Sequence, residues 1–180
     1  MRKLQSHAFS DKALTAQEPI LQDYIRQFVA GLKKEAKTAN NKVPLGKWYN
    51  YTTFDLIGDL AFGESFDCVS SGKLHPWIQT IFEIFEINSW VIEARNYPII
   101  GKFVYFMLPR ELLKKFPTHK EMAREKATRR MNRVTDRPDF MSYIMKNNDT
   151  EKGMSTPEIR ENASLLILAG SETVSSSSPY

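Results

Sequence analysis

Cysteine occurs once in these 180 residues, at Cys68, which excludes an internal disulfide framework and a cysteine-rich zinc site. Histidine occurs three times, at His7, His75 and His119, scattered and without the H-E-x-x-H spacing of a zinc helix. No G-x-G-x-x-G and no Walker loop is present, so the common phosphate cradles are missing. No apolar run approaches the ~20 residues that a helix needs to cross a bilayer. Neither sign of charge dominates: 25 Lys and Arg against 21 Asp and Glu leave +4. So mild a surplus fits an anionic membrane surface or an acidic partner, but it reads first as a solvated basic face. No basic helix or aromatic–basic module points to nucleic acid. Met1 is followed at once by charged, patterned sequence, so no signal peptide or N-terminal anchor is expected.

The chain does have an ordinary globular composition, 42% hydrophobic and 26% charged, with 11 Phe, 7 Tyr and 3 Trp. That balance argues against disorder, and the length favours one domain. Helical spacing recurs throughout, and no strand or internal repeat stands out, so the expected class is all-α. Thr15 and Glu18 have a capping-box spacing. Leu21, Tyr24, Ile25, Phe28, Val29 and Leu32 then form an amphipathic stripe. A polar loop over 38–47 precedes a helix over 48–62, with Tyr51, Phe54, Ile57, Gly58 and Ala61 inward and Gly63 as its C-cap. Gly58 suggests close packing of another helix. Residues 64–73 read as a loop holding Cys68 as a plain thiol.

Pro76 opens a helix with an aromatic face of Trp77, Ile78, Ile81, Phe82, Phe85 and Trp90. That face reads as core or as the wall of an apolar ligand pocket. Residues 97–109 are apolar but too short to span a bilayer, and could dip into an interface. Residues 112–133 form a long charged helix, solvated on one side, with Glu125 and Arg129 at i,i+4. A break at Arg137-Pro138 precedes a short helix over 139–145.

The stretch from Ser155 to Thr173 is the most informative. Ser155 and Glu158 have capping-box spacing, while Thr156 as cap would place Pro157 at the first helical position. Ile159, Ala163, Leu166, Ala169 or Gly170, and Thr173 share one stripe. From Ala163 to Ala169 only Ser164 is polar, as in a buried helix. Gly170 inside a helix costs ~1 kcal/mol against alanine. It either ends the helix as a cap or marks something that needs a small residue. The stripe predicts a helix continuing through Thr173.

Ala169-Gly170-Ser171-Glu172-Thr173 resembles the [AG]-G-x-[DE]-T motif of the distal helix in the cytochrome P-450 haem-thiolate monooxygenases. Three further segments are similar to that family in the same order: residues 2–14 (RKLQSHAFSDKAL), residues 54–66 (FDLIGDLAFGESF) and residues 137–141 (RPDFM). The phrasing is closest to fungal members that oxidise secondary metabolites. The likeness covers nearly the whole chain but only the middle of the family's fold, so 1–180 is expected to be one partial helical domain. The resemblance implies haem in the complete protein, with Arg2 meeting a propionate, Ala169 and Gly170 on the haem face, Thr173 serving oxygen activation and Glu172 relaying protons. It assigns Phe82, Phe85, Leu165 and Ala169 to the substrate pocket. It implies an apolar small-molecule substrate and electrons from cytochrome P-450 reductase, which takes them from reduced nicotinamide. It also implies a place on the cytoplasmic face of the endoplasmic reticulum membrane.

Departures from the family pattern are equally plain. The E-x-x-R helix and the F-x-x-G-x-R-x-C ligand loop that should follow the distal helix are absent, and Cys68 lies before it in Phe-Asp-Cys-Val. Val174 and Ser175–Ser178 give way to Pro179, where the family's helix continues; serine is poor helix, and a residue before proline leaves the helical region. The expected metal ligand is therefore not in this chain, and the fragment alone is expected to be inactive. A rival reading is a non-catalytic helical module that binds a membrane or partner through 97–108.

Overall fold

The computed structural model describes residues 6–38, 42–97, 115–146, 148 and 153–176. Among these, every regular element is helical. A 3-10 turn, His7–Phe9, leads into α1 (Asp11–Thr38); α2 (Leu45–Phe62), α3 (Cys68–Ser71), α4 (Pro76–Arg95), α5 (Lys115–Asn132), α6 (Phe140–Lys146) and α7 (Thr156–Ser176) follow. The chain divides into two compact units, one of residues 1–74 with 123–180, the other of residues 75–122.

In the first unit α2 is the central helix. Tyr51, Phe54, Ala61 and Phe62 are buried on it, and so are the polar Thr53, Asp55 and Asp59. Burial of a large apolar side chain contributes about 1.5–3 kcal/mol, so this helix carries much of the core. It begins three residues earlier than its pattern suggests, with Trp48 N–H donating to the Pro44 carbonyl at 3.3 Å. It ends as expected at Gly63, which has φ 65° and donates its N–H to the Asp59 carbonyl at 2.7 Å. Gly58 makes room for a different neighbour from the one expected. A Cβ there would lie 2.6 Å from the Phe66 ring, so the following loop, and not another helix, lies against it.

The segment read as a loop around Cys68 contains α3, and Cys68 is fully buried at its first position. The cause is Asp55, whose carboxylate accepts the N–H of Phe66 at 3.1 Å, of Cys68 at 3.0 Å and of Val69 at 2.8 Å. A buried carboxylate thus folds the chain back onto α2 and starts a turn of helix. The Cys68 thiol lies 3.9 Å from the Phe66 carbonyl.

Helix α1 starts at Asp11, not at Thr15, because Ser10 Oγ accepts the Ala13 N–H at 3.3 Å. Thr15 instead bonds back to the Asp11 carbonyl at 2.8 Å, and Pro19 lies inside the helix. Of its apolar stripe only Tyr24 is buried, while Leu21, Ile25 and Val29 are about two-fifths exposed at 41%, 41% and 40%.

The second half of α5 belongs to the first unit. Ala123 and Ala127 are buried there, and so is Arg130. Glu125 and Arg129 pair at 3.3 Å, as their spacing predicts. In the second unit, Pro76 opens α4 as expected, with Trp77, Ile78, Ile81 and Ile84 buried and Phe82 and Phe85 half-buried. Trp77 Nε1–H donates to His119 Nδ1 at 2.9 Å. No helix of the described residues is long and apolar enough to cross a membrane. Residues 98–108, on which the membrane- or partner-binding reading rests, lie outside the described residues.

Candidate functional site

The start of α7 is fixed by two side chains. Asn148 Nδ2 donates to the Met154 carbonyl at 2.8 Å, and its Oδ1 accepts the Met154 N–H. Glu158 then reaches back to accept the Ser155 N–H at 2.7 Å and its hydroxyl at 2.9 Å. Ser155 is therefore the cap, and Pro157 falls at the second helical position. The bond from the Ser155 N–H also holds the Glu158 carboxyl below its ordinary range.

The helix runs without interruption through Gly170 to Ser176. Neither positive-φ glycine of the described residues is Gly170, so the capping alternative does not hold. Ile159, Ala163, Ser164 and Ile167 are buried on one side. Gly170 falls on that side too, because a Cβ there would lie 2.8 Å from Ile57 Cδ1 of α2. Leu165 and Ala169 point elsewhere, with Leu165 59% exposed and Ala169 exposed. The stripe that left 169 and 170 as alternatives thus separates into two faces. Residue 170 lies against α2, and residues 165 and 169 form an open face. At 3.6 residues per turn, position 173 continues the row of 165 and 169. Glu172 and Thr173 lie within the helix, and their side chains are outside the described ones. Arg2 is outside the described residues altogether.

Elsewhere in the unit lie charge pairs that sequence reading missed. Arg130 and Asp139, 2% and 0% exposed, form a two-point pair at 2.8 and 2.9 Å. Asp139 also accepts the Ser142 N–H at 2.7 Å and so caps α6. Arg137 donates to Asp59, which in turn accepts the Tyr24 hydroxyl at 3.1 Å. Burial pushes the Asp59 carboxyl up, and the Arg137 guanidinium opposes that shift. The Arg137–Met141 segment is thus a structural clasp. Helix α5 read as a solvated charged helix, yet Arg130 is among its most buried residues, and only its nearby Asp139 hinted at a partner.

Two clefts in this unit lie elsewhere. One, of about 520 Å³, is lined by Gly31, Lys34, Trp48 and Ser70 among others; another, of about 440 Å³, is lined by Leu14, Leu21, Leu56 and Leu60 among others. Neither includes α7. Among the described residues no group of three or more His, Cys, Asp or Glu could hold a metal ion. Cys68 is enclosed between Asp55 and Phe66 and offers no sulfur to one. The open face of Leu165 and Ala169 does suit one side of a flat, mostly apolar group. It presents apolar carbon, and Ala169 is small enough to admit close approach to the helix.

A family model described as "Cytochrome P450" matches residues 1–180. Cytochrome P450 monooxygenase astJ of Aspergillus oryzae is 44% identical over 172 residues, covering 96% of this chain and 34% of that protein. The trichothecene C-15 hydroxylase of Fusarium sporotrichioides is 40% identical over 175 residues, covering 96% and 35%. The trichothecene C-4 hydroxylase of Trichoderma arundinaceum is 38% identical over 174 residues, again covering 96% and 35%. The chain spans about a third of the length of the relatives it matches.

Proposed function

The chain belongs to the cytochrome P450 family, and from that premise we propose that the complete protein is a haem-dependent monooxygenase acting on an apolar small molecule, with α7 as its oxygen-side helix. Haem, held through a thiolate, supplies the oxygen chemistry when bound. The observation that carries the reading is the division of α7 into a face packed on α2 and an open apolar face at Leu165 and Ala169.

On this reading Ala169 would let the haem lie close to the open face of the helix, Gly170 would seat the other face on α2, and Arg2 would hold a propionate through its guanidinium fork. Thr173 holds a hydroxyl proton beside the oxygen site, and its hydroxyl can instead bond back to the residue 169 carbonyl. Glu172 passes protons inward from water. Leu165 and Ala169 exclude water and present carbon to the substrate. Phe82 and Phe85, half-buried on α4, are proposed as substrate-contacting residues. Electrons come from cytochrome P450 reductase, and the complete protein works at the cytoplasmic face of the endoplasmic reticulum membrane. The substrate class that fits is a fungal secondary metabolite, the class implied by the hydroxylases it resembles.

Thr173→Ala in the complete protein tests the central assignment. Positioned proton transfer contributes ~10²–10⁴-fold in general. The expected outcome is a fall in product formation of at least about tenfold, while reduced nicotinamide is still consumed. Unchanged product per nicotinamide consumed would remove Thr173 from oxygen activation.

A further inference from the structure

We infer that Ile57 and Gly170 form a seat that sets how far α7 stands from α2, and so where the Ala169 face lies. Ile57 is thereby a positioning residue. The inference rests on α7 being the oxygen-side helix of the proposed monooxygenase.

A Cβ built at Gly170 would lie 2.8 Å from Ile57 Cδ1, 3.1 Å from Cγ1 and 3.9 Å from Cβ. The first contact is relieved by rotating the end of the isoleucine. The second is not, because a β-branched side chain on a helix has one strongly preferred χ1. An added methyl at 170 must therefore distort Ile57 or push α7 back by a few tenths of an ångström. Glycine in mid-helix is unfavourable against alanine. Alanine would thus be the better residue for the helix alone, and close approach to α2 is what favours glycine. Ala169 is the adjacent residue, so a displacement at 170 is also a displacement of the open face. Misplacement of a reacting group by ~1 Å can lower rates ~10²-fold, so a few tenths should register as several-fold.

The test uses the complete haem-loaded protein with Gly170→Ala, Ile57→Ala and both together. Ile57→Ala removes Cγ1 and Cδ1, the two atoms within reach of the new methyl. Two readouts are taken: product formed per reduced nicotinamide consumed, and the thermal midpoint. Gly170→Ala alone should lower the product yield at least about threefold and lower the midpoint. In the Ile57→Ala background the same substitution should reverse sign and raise the midpoint, because only helix propensity then remains. The double variant should recover a product yield within about twofold of wild type. Ile57→Val with Gly170→Ala should stay close to Gly170→Ala alone, since the Cγ1 contact persists.

A Gly170→Ala substitution that raises the midpoint in both backgrounds, or a double variant with no recovered yield, overturns the inference. The carbon monoxide complex of the reduced wild-type protein separates the two levels. Without the red-shifted Soret band of thiolate ligation, the monooxygenase reading fails and the inference with it. With that band present and no sign reversal, the inference alone fails.

Discussion

Asp55 shows how one buried charge can organise a loop. Its two oxygens take three backbone N–H groups, at 2.8 to 3.1 Å, from residues 11 to 14 positions downstream. Asp55→Asn keeps the shape but turns an amide NH₂ toward an N–H, which leaves a buried donor unsatisfied. Such a group costs about 1–3 kcal/mol, and the loss of a charge-assisted bond adds to it. The expected outcome is a loss of about 2–4 kcal/mol in urea unfolding of the complete protein. An unchanged urea midpoint would sink it. Tyr24 offers a second test at this scale. Burial raises the phenol well above its ordinary range; a side-chain hydrogen bond with Ser65 opposes that rise, and the neighbouring Asp59 carboxylate adds to it. A phenol whose folded pKa lies above its unfolded value of about 10 contributes stability that is full below pH 10 and lost as pH rises further. Tyr24→Phe should cost ~1–2 kcal/mol near neutral pH and flatten the alkaline loss of stability. If the alkaline limbs of variant and wild type coincide, Tyr24 is not the titrating group.

Element by element, what was legible followed local rules. The Ser155–Glu158 cap, the Gly63 stop, the opening of α4 at Pro76 and the Glu125–Arg129 pair each depend on residues within four positions of one another. The continuation of α7 past Gly170 followed from its stripe and from the family's motif together. What was not legible joins residues far apart in the chain. Tyr24 meets Asp59 across 35 positions, and Arg137 meets Asp59 across 78. No periodicity encodes such pairs. Gly58 shows the same limit, since the sequence says that something packs closely there but not that it is Phe66. The choice between 169 and 170 needed Ile57, which lies on another helix. Helix α1 fails differently. Its stripe is real, yet Leu21 and Ile25 both remain at 41% exposure, and Leu21 lines a cleft with Leu14, Leu56 and Leu60. An amphipathic pattern shows which face wants burial, and not whether this stretch of chain supplies the cover.

For the molecule as a whole, the 180-residue chain is about a third as long as the relatives it matches. On the proposed reading its described part supplies one side of the haem site, while Cys68, its single cysteine, is enclosed at the start of α3. Thiolate donation to iron is what favours cleavage of the dioxygen bond, so the chain by itself should lack monooxygenase activity. Exposed apolar side chains on α1, and separately Leu165 on α7, are surface of the kind that promotes association. The purified chain should therefore self-associate at concentrations where the complete protein does not, as read by sedimentation. Supplied with haem, reduced and exposed to carbon monoxide, it should show no red-shifted Soret band. Burial of Cys68 against Asp55 and Phe66 makes the expectation sharp, because reaching an iron would require α3 to come apart. A clear thiolate band from the chain alone, abolished by Cys68→Ser, would falsify it and make Cys68 the ligand. The same band surviving Cys68→Ser cannot come from this chain, which has no second cysteine.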